Sequence, residues 1–354
     1  MCALYQFDEL QSYLQLCTII IMKKISKNGI LKFCLIFVLC LGIIYAFLAI
    51  GLNAYTKFPA SSALIHSRKG FKIPYSNKGY VAQGLSYDKD SGNFYLTGYM
   101  KDGSASPIFV VNKKTRKLVN AVWMANQDGS EFCGHAGGLS VMNGKIYVAG
   151  SEDGCLYVFS QTEVDKAPKG SSVEYIEIVD LGKGLSPVLP AYTTVSDGLI
   201  FAGEFYRPEV YETPVAHQVQ TEAGLQHAIA VGYELNGKAA SPAVVYSVPD
   251  QIQGMCFARN AIYLTTSWGL GLSAVYVYDR KNLVQSGTKE VSGYVVPLYN
   301  LTMDNMTDVW VLPPMAEEIE FVDGRFYVSN ESASNKYIFG KFCGGKWCRG
   351  YTFN

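Results

Sequence analysis

Three carboxylates, Glu317, Glu318 and Glu331, form the constellation in this chain most suited to chemistry. The first two are adjacent in the apolar stretch Glu317-Glu318-Ile319-Glu320-Phe321, and the third sits in Ser329-Asn330-Glu331-Ser332-Ala333. Oxygen donors of this kind suit a hard cation such as calcium. A carboxyl group whose pKa is raised by burial can also serve as a general acid or base. Solvated carboxylates at a channel mouth are the plainer alternative. No catalytic signature decides among these, because the chain has no Ser-His-Asp order, Gly-x-Ser-x-Gly elbow, P-loop or dinucleotide fingerprint. Whether the protein is an enzyme is left open at this point.

The glutamates belong to a repeated pattern. A small or polar pair, a short hydrophobic strand, a turn and a second strand with an aromatic at a fixed place recur along residues 81–340. The aromatics are Tyr95, Tyr147, Phe201, Tyr263 and Tyr327, spaced 52, 54, 62 and 64 residues apart. Such a period marks a repeat architecture, and strands without helices predict an all-β fold, a β-propeller. Asn143-Gly144, Asp197-Gly198 and Asp323-Gly324 are type I′ hairpin dipeptides at one common offset.

Aligning these turns puts Gln83, Gly137, Ala191, Gln253 and Glu317 at one inner-strand position, with Gly84, Gly138, Tyr192, Gly254 and Glu318 next. Glycine there lets backbones crowd near the axis, which is a packing role. Gln83, Gln253, Glu317, Glu318 and nearby His135 are expected to converge on one axial funnel. A pocket with a few convergent polar groups is the default ligand site. The ends of the second strands add Tyr99, Glu204, Trp268 and Glu331. Trp268, in Ser267-Trp268-Gly269-Leu270-Gly271, suits either stacking on a sugar or base or packing as a cap. His217 and His227 flank a polar insert, 207–226, and are expected at the surface.

Four-stranded blades are predicted from 83–87, 93–97, 107–111 and 118–124, then from 137–141, 145–149, 155–159 and 175–179. The third has 191–195, 199–203 and 227–233, and the fourth 253–257, 261–265 and 274–278. The fifth has 317–321, 325–329 and 336–339. Five blades are expected, with a sixth possible in 281–316, around 294–301 and 309–312. The fifth lacks an outer strand. The strand-like segment 63–74 is placed to complete it and close the ring, which removes open sheet edges.

Length and charge narrow the functions. The 354 residues accommodate one propeller and an N-terminal segment. A formal net charge of zero argues against a generally basic nucleic-acid binder. The expected partners are instead the membrane and a small molecule, glycan or peptide, with the chain a monomer. Aromatics at 13% suit face-to-face sheets, so their abundance is weak evidence for a ligand platform.

Residues 33–52 carry no charge over 20 positions, enough for a helix to cross a bilayer. Lys23, Lys24, Lys27 and Lys32 precede them, and no acidic residue lies between Met22 and Leu52. The positive-inside rule then predicts a single-pass protein of the cell membrane with its C-terminal domain extracytoplasmic. The expected organisation is a cytoplasmic tail 1–32, a signal-anchor 33–52, a linker 53–62 and a propeller 63–354. A cleaved signal peptide is the rival, with Leu52-Asn53-Ala54 as the cleavage site, although its apolar core usually spans only about 7–15 residues. Met22-Lys23-Lys24-Ile25-Ser26-Lys27 reads like a bacterial start, which makes 1–21 either an upstream extension or a short genuine tail.

Five of nine cysteines, Cys133, Cys155, Cys256, Cys343 and Cys348, follow the span. An oxidising exterior permits disulfides. Cys343 and Cys348 bracket a Gly344-Gly345 turn and are expected to form a local bridge, while Cys133 and Cys155 flank one repeat and can pair across it. Cys256, in Met255-Cys256-Phe257, reads as a buried small hydrophobe. Four closely spaced zinc ligands are absent.

The stretch Leu312-Pro313-Pro314-Met315-Ala316-Glu317-Glu318, with Glu331-Ser332-Ala333 and Lys336-Tyr337, resembles bacterial exported propeller proteins of no settled function. Tyr80-Val81-Ala82-Gln83-Gly84-Leu85 and His135-Ala136-Gly137-Gly138 fit the same resemblance, which covers most of 79–340 and implies no reaction. Glu331-Ser332-Ala333 is also distantly similar to calcium-activated nucleotidases. Those are five-bladed, often membrane-anchored, and hold axial calcium with Glu and Ser. Gluconolactonase-like propellers surround an axial metal with acidic and Asn ligands, but have six blades, and the Asn ligands find no match here. What these similarities imply is a calcium site among Glu317, Glu318 and Glu331, and a metal-dependent hydrolase as the alternative to a binding protein. A protein-interaction scaffold using the insert 207–226 is a third reading.

Overall fold

The computed structural model describes residues 27–182 and 186–353. The expectations for 1–26, including the start at Met22 and the first lysines, fall outside them. The chain divides into two units, 1–52 and 53–354. Helix α1, Lys27–Lys57, contains the uncharged span and is long and apolar enough to cross a membrane. Its apolar side chains are exposed, from Phe33 through Ile50. The helix runs to Lys57 and a second short helix, α2, Ser61–Ile65, begins at Ser61, so most of the stretch read as a linker is helical.

The second unit is built mostly from antiparallel strands. After β1, Ser67–Lys72, come β2, Tyr80–Asp88, β3, Asn93–Met100, β4, Pro107–Asn112, and β5, Leu118–Ala125, which pair in that order. Next are β6, Leu139–Met142, β7, Lys145–Gly150, and β8, Cys155–Ser160, then helix α3, Gln161–Lys166. Strand β9, Ser172–Glu174, leaves this sheet to run parallel to β5, and β10, Glu177–Asp180, returns to pair with β8. Strands β11, Pro190–Ser196, and β12, Leu199–Glu204, precede a small hairpin of β13, Val219–Thr221, and β14, Gly224–Gln226. The sheet resumes with β15, Ala228–Asn236, and β16, Ala239–Val248.

Strands β17, Ile252–Ala258, β18, Ala261–Thr266, and β19, Ser273–Asp279, pair in order. The segment that offered room for a sixth blade does something else. Its hairpin, β20, Gly287–Val291, and β21, Tyr294–Asn300, lies parallel along β16, and β22, Asp308–Leu312, becomes the outer partner of β19. Last come β23, Ala316–Val322, β24, Arg325–Asn330, and β25, Trp347–Tyr351. Residues 336–339, expected as the third strand here, are turn and loop; β25 takes that place, and β1 pairs antiparallel with it.

Strands β2, β6, β11, β17 and β23 lie beside one another in that order, and β23 lies beside β2. The fold is of β-propeller type. Local chemistry explains the hairpins. Asn143-Gly144, Asp197-Gly198 and Asp323-Gly324 all have positive φ, as type I′ turns require, and Arg259-Asn260 makes the same turn without glycine. The aromatics Tyr95, Tyr147, Phe201, Tyr263 and Tyr327 each occupy the third residue of their strand. Buried clusters join neighbouring sheets. One contains Phe71, Tyr80, Leu85, Phe94, Phe109 and Cys348, from both ends of the unit.

The inner strands approach closely where glycine stands. A Cβ on Gly138 would lie 2.5 Å from Tyr192 Cα, and one on Gly254 would lie 2.7 Å from Glu318 Cα. Backbone cannot yield as a side-chain tip can. Gly138→Ala is therefore expected to destabilise the unit by about 2–3 kcal/mol, which at a few degrees per kcal/mol lowers the melting temperature by roughly 5–10 °C. Thermal unfolding followed by circular dichroism checks this; an unchanged midpoint would contradict the close approach.

Candidate functional site

An irregularity in the inner strands builds the site. The β2–β3 register shifts between Ala82 and Leu85, β11–β12 between Pro190 and Tyr192, β17–β18 between Ile252 and Gly254, and β23–β24 between Ala316 and Ile319. A bulge takes residues out of the ladder and re-aims their side chains. The residues released are Gln83, Gly84, Ala191, Gln253, Glu317 and Glu318, and of these Gln83, Ala191, Gln253 and Glu317 line one cavity of about 380 Å³. His135, Tyr99, Trp268 and Glu331 line it too.

One wall is polar. Gln83 Nε2 donates to Glu331 Oε2 at 3.4 Å and to the Ala82 carbonyl at 3.0 Å, while Gln83 Oε1 lies 3.1 Å from His135 Nε2. Tyr337 Oη donates to Glu331 Oε2 at 2.7 Å. Lys336 Nζ donates to the Tyr99 hydroxyl and sits 4.6 Å from its ring centre, and that ring packs on His135 at 4.7 Å. Burial, helped by Lys336, lowers the His135 pKa to about 4, so the imidazole is neutral at pH 7. A second part of the lining is aromatic. Trp268 lies 6.0 Å from Phe205 and 6.1 Å from Tyr211 between ring centres, and the Arg207 guanidinium lies 4.1 Å over the indole.

Glu317 is buried and lines this cavity, and among the described residues no hydrogen bond reaches its carboxylate. Burial, with Glu331 and Glu318 nearby, holds its pKa well above the carboxylate range. Burial pushes Glu331 up to about 7 against the pull of Tyr337, Lys336 and Gln83. The side chain of Gln253 is likewise without a hydrogen bond among the described residues.

The neighbour of Glu317 has a different place. Glu318 is buried and outside the cavity lining. Its Oε2 accepts the backbone N–H groups of Leu85 at 3.1 Å and Leu139 at 3.2 Å, and its Oε1 accepts that of Thr193 at 3.1 Å. Burial raises its pKa while these three bonds lower it. Glu204 is also outside the lining. It is fully buried, with Oε1 at 2.7 Å from His217 Nδ1 and Oε2 accepting Ile229 N–H at 3.2 Å. His217 is thus interior, not at the surface; His227 is partly buried, stacked on Tyr206 at 4.2 Å and 3.1 Å from Asp250.

Of the three carboxylates expected to share a cation site, Glu317 and Glu331 line the cavity and Glu318 does not. Among the described residues no three His, Cys, Asp or Glu side chains gather as a metal site needs, since Glu318 is turned onto backbone amides. The disulfides are corrected as well. Cys343, Cys348, Cys133 and Cys155 are not joined to one another. Cys348 is packed in the cluster of Phe71 and Tyr80, Cys343 ends a 3-10 turn, and exposed Cys133 contrasts with buried Cys155. Cys256 is buried, as expected.

Lining residues missing from the sequence reading include Phe205, Tyr211, Lys336 and Tyr337. Phe205 follows the end of β12 directly, the place that gave Tyr99 in β3 and Glu331 after β24, so strand-end offset was a usable signal. Tyr211 comes from the insert, which no periodicity could place.

No family model and no curated protein matches the chain. Solved structures overlap it partially. The aldose sugar dehydrogenase of Streptomyces coelicolor in its PQQ-bound form has a TM-score of 0.40 and 11% identity, covering 74% of this chain and 76% of that one. A nidogen/laminin complex gives a TM-score of 0.39 and 9% identity, covering 71% and 73%. Hydrazine synthase of Kuenenia stuttgartiensis gives 0.32 and 9%, covering 73% of this chain and 57% of that one, so the chain spans little more than half its length.

The adjacent glutamates should respond oppositely to the same change. In Glu318→Gln an amide NH₂ faces a backbone N–H, and each orphaned donor costs about 1–3 kcal/mol. The melting temperature should fall by several degrees, whereas Glu317→Gln should leave it unchanged or raise it. Equal losses in both would contradict the division.

Glu331 makes a pH prediction. Its folded pKa, about 7, lies above the ordinary 4.5, so between these values the folded state holds a proton that the unfolded state has released. Its contribution to stability is full below pH 4.5 and declines as pH rises through 7. The stability gain of Glu331→Gln over the parent should therefore grow from pH 5 to pH 8, by on the order of 1–3 kcal/mol. Paired denaturant titrations measure it, and a pH-independent difference would refute the assignment.

Proposed function

We propose that this chain is a membrane-tethered, extracytoplasmic receptor whose axial cavity binds a small molecule. In this reading the four-strand sets led by β2, β6, β11, β17 and β23 are five blades. The pairing of β1 with β25, and the contact of β23 with β2, support closure into a ring. Helix α1 is the tether, and the four lysines before its uncharged span, Lys23, Lys24, Lys27 and Lys32, favour a cytoplasmic N-terminus.

One observation carries the binding reading. The buried carboxylate of Glu317 lines a cavity of about 380 Å³ without a hydrogen-bond partner among the described residues. Its oxygens open onto the cavity, where a ligand can supply the donor that no side chain among the described residues does. Gln253 beside it and the aromatic part of the lining give the polar and apolar contacts that small-molecule sites combine.

The full-length protein in neutral detergent should melt higher with a bound ligand, by mass action. A screen of sugars, amines, peptides, nucleotides and calcium supplies candidates. Ala191→Phe fills the cavity wall and should abolish the shift while leaving the unliganded midpoint near its starting value. A shift that survives Ala191→Phe would place binding elsewhere, for example at the exposed Val210 and Val215. A calcium response lost in Glu317→Gln would favour a metal-dependent hydrolase instead. For the topology, protease added to spheroplasts should remove 55–354. Full protection of that domain, with the outer face accessible, would reverse the orientation.

A further inference from the structure

We infer that the axial cavity takes a ligand bearing a protonated amine, seated on the Glu317 carboxylate with its apolar part against Trp268. The inference rests on the axial-cavity reading and names the ligand class.

Charge is the first argument. The carboxylates lining the cavity are Glu317 and Glu331 in the polar wall and the exposed Glu152 and Glu212 at the rim. Against these, Lys336 is the one lining Lys or Arg among the described residues, and it is already bonded to the Tyr99 hydroxyl. Two exposed acids above two more enclosed ones attract cations and disfavour anions. The second argument is the open valence at Glu317. A neutral hydroxyl can bond to Glu317 but leaves the proton held by the Glu317–Glu331 pair in place. An ammonium supplies both the donor and the counter-charge, and such bonds are the strong ones. The third is the aromatic part of the lining. Aromatic faces stabilise cations and their alkyl neighbours, and the Arg207 guanidinium over Trp268 and Lys336 over Tyr99 are internal instances.

Proton linkage follows. The groups facing the Glu317–Glu331 pair are Gln83 from β2, Tyr99 from β3, His135 from the loop before β6, Lys336 and Tyr337 after β24, and Glu318 next in β23. An arriving ammonium displaces the proton that the pair holds near neutral pH, so affinity should increase from pH 5.5 to pH 8 for an amine that stays protonated over that range.

The test uses full-length protein in neutral detergent and matched probes: benzylamine, benzyl alcohol and benzoate, then glucosamine, glucose and glucuronate, with calcium chloride separately. The amine of a set should raise the melting temperature while its alcohol and acid counterparts do not. The amine response should weaken roughly tenfold or more in Glu317→Gln, and the benzylamine response should grow with pH. Glu331→Gln is the second variant should Glu317→Gln fail to fold, and it should flatten the pH dependence. Equal responses to neutral or acidic members, an amine response unaffected by both variants, or no amine response at millimolar concentration would overturn the proposal. If the binding member is neutral and Ala191→Phe removes its shift, the cavity reading stands and only the amine falls. A shift indifferent to Ala191→Phe sinks both.

Discussion

The centre of this molecule depends on one carboxylate. Glu318 reaches from β23 to the backbone amides of Leu85, Leu139 and Thr193, which lie on three other inner strands. Inner strands of separate sheets cannot satisfy one another through ladder bonds, because their edges do not meet in register. Amides left over at their crossing points would be buried and unpaired, at a cost of about 1–3 kcal/mol each. A single acceptor with two oxygens solves this for three of them. Glycines at Gly84, Gly138 and Gly254 bring the strands near enough for one side chain to reach all three.

The bulges divide labour between neighbours. In a regular strand Glu317 and Glu318 would alternate across one pleat. The irregularity between Ala316 and Ile319 instead gives one glutamate to the cavity and the next to the scaffold. Rigidity and binding potential are thereby produced within two residues of sequence. The satisfied carboxylate holds the floor in place, and the unsatisfied one is held at its edge.

Much of this was legible beforehand. The turn dipeptides and the third-residue aromatics locate the hairpins, and aligning them brings Gln83, Ala191, Gln253 and Glu317 to one level because the strands share a common geometry. Direction was harder. A one-residue change of register sends a side chain to the other face, so adjacent Glu317 and Glu318 could not be separated, and Glu204 was assigned to the funnel although it holds His217 inside. Sequences without period were the other limit. Tyr211 in the insert and Lys336-Tyr337 in a loop reach the cavity through irregular backbone, and spacing in the chain says little about where such segments return. Cysteine spacing misled for a related reason: the short turn between Cys343 and Cys348 sets distance along the chain, not which way each thiol points.

The pairing of β1 with β25 has a consequence in time. Thr352 bonds to the His66 carbonyl across 286 residues of chain. Closing so long a loop costs entropy that grows with the logarithm of its length, and contacts this distant in sequence slow folding. A chain made from its N-terminus presents β1 long before β25 exists. Until then β1 is a strand without its partner, an invitation to pair with the wrong neighbour. The basic side chains Arg68 and Lys69 on that strand, both exposed, discourage such pairing during the wait. In the order of synthesis β1 therefore waits for β25, and the sheet of β1, β25, β24 and β23 is completed only when that strand arrives.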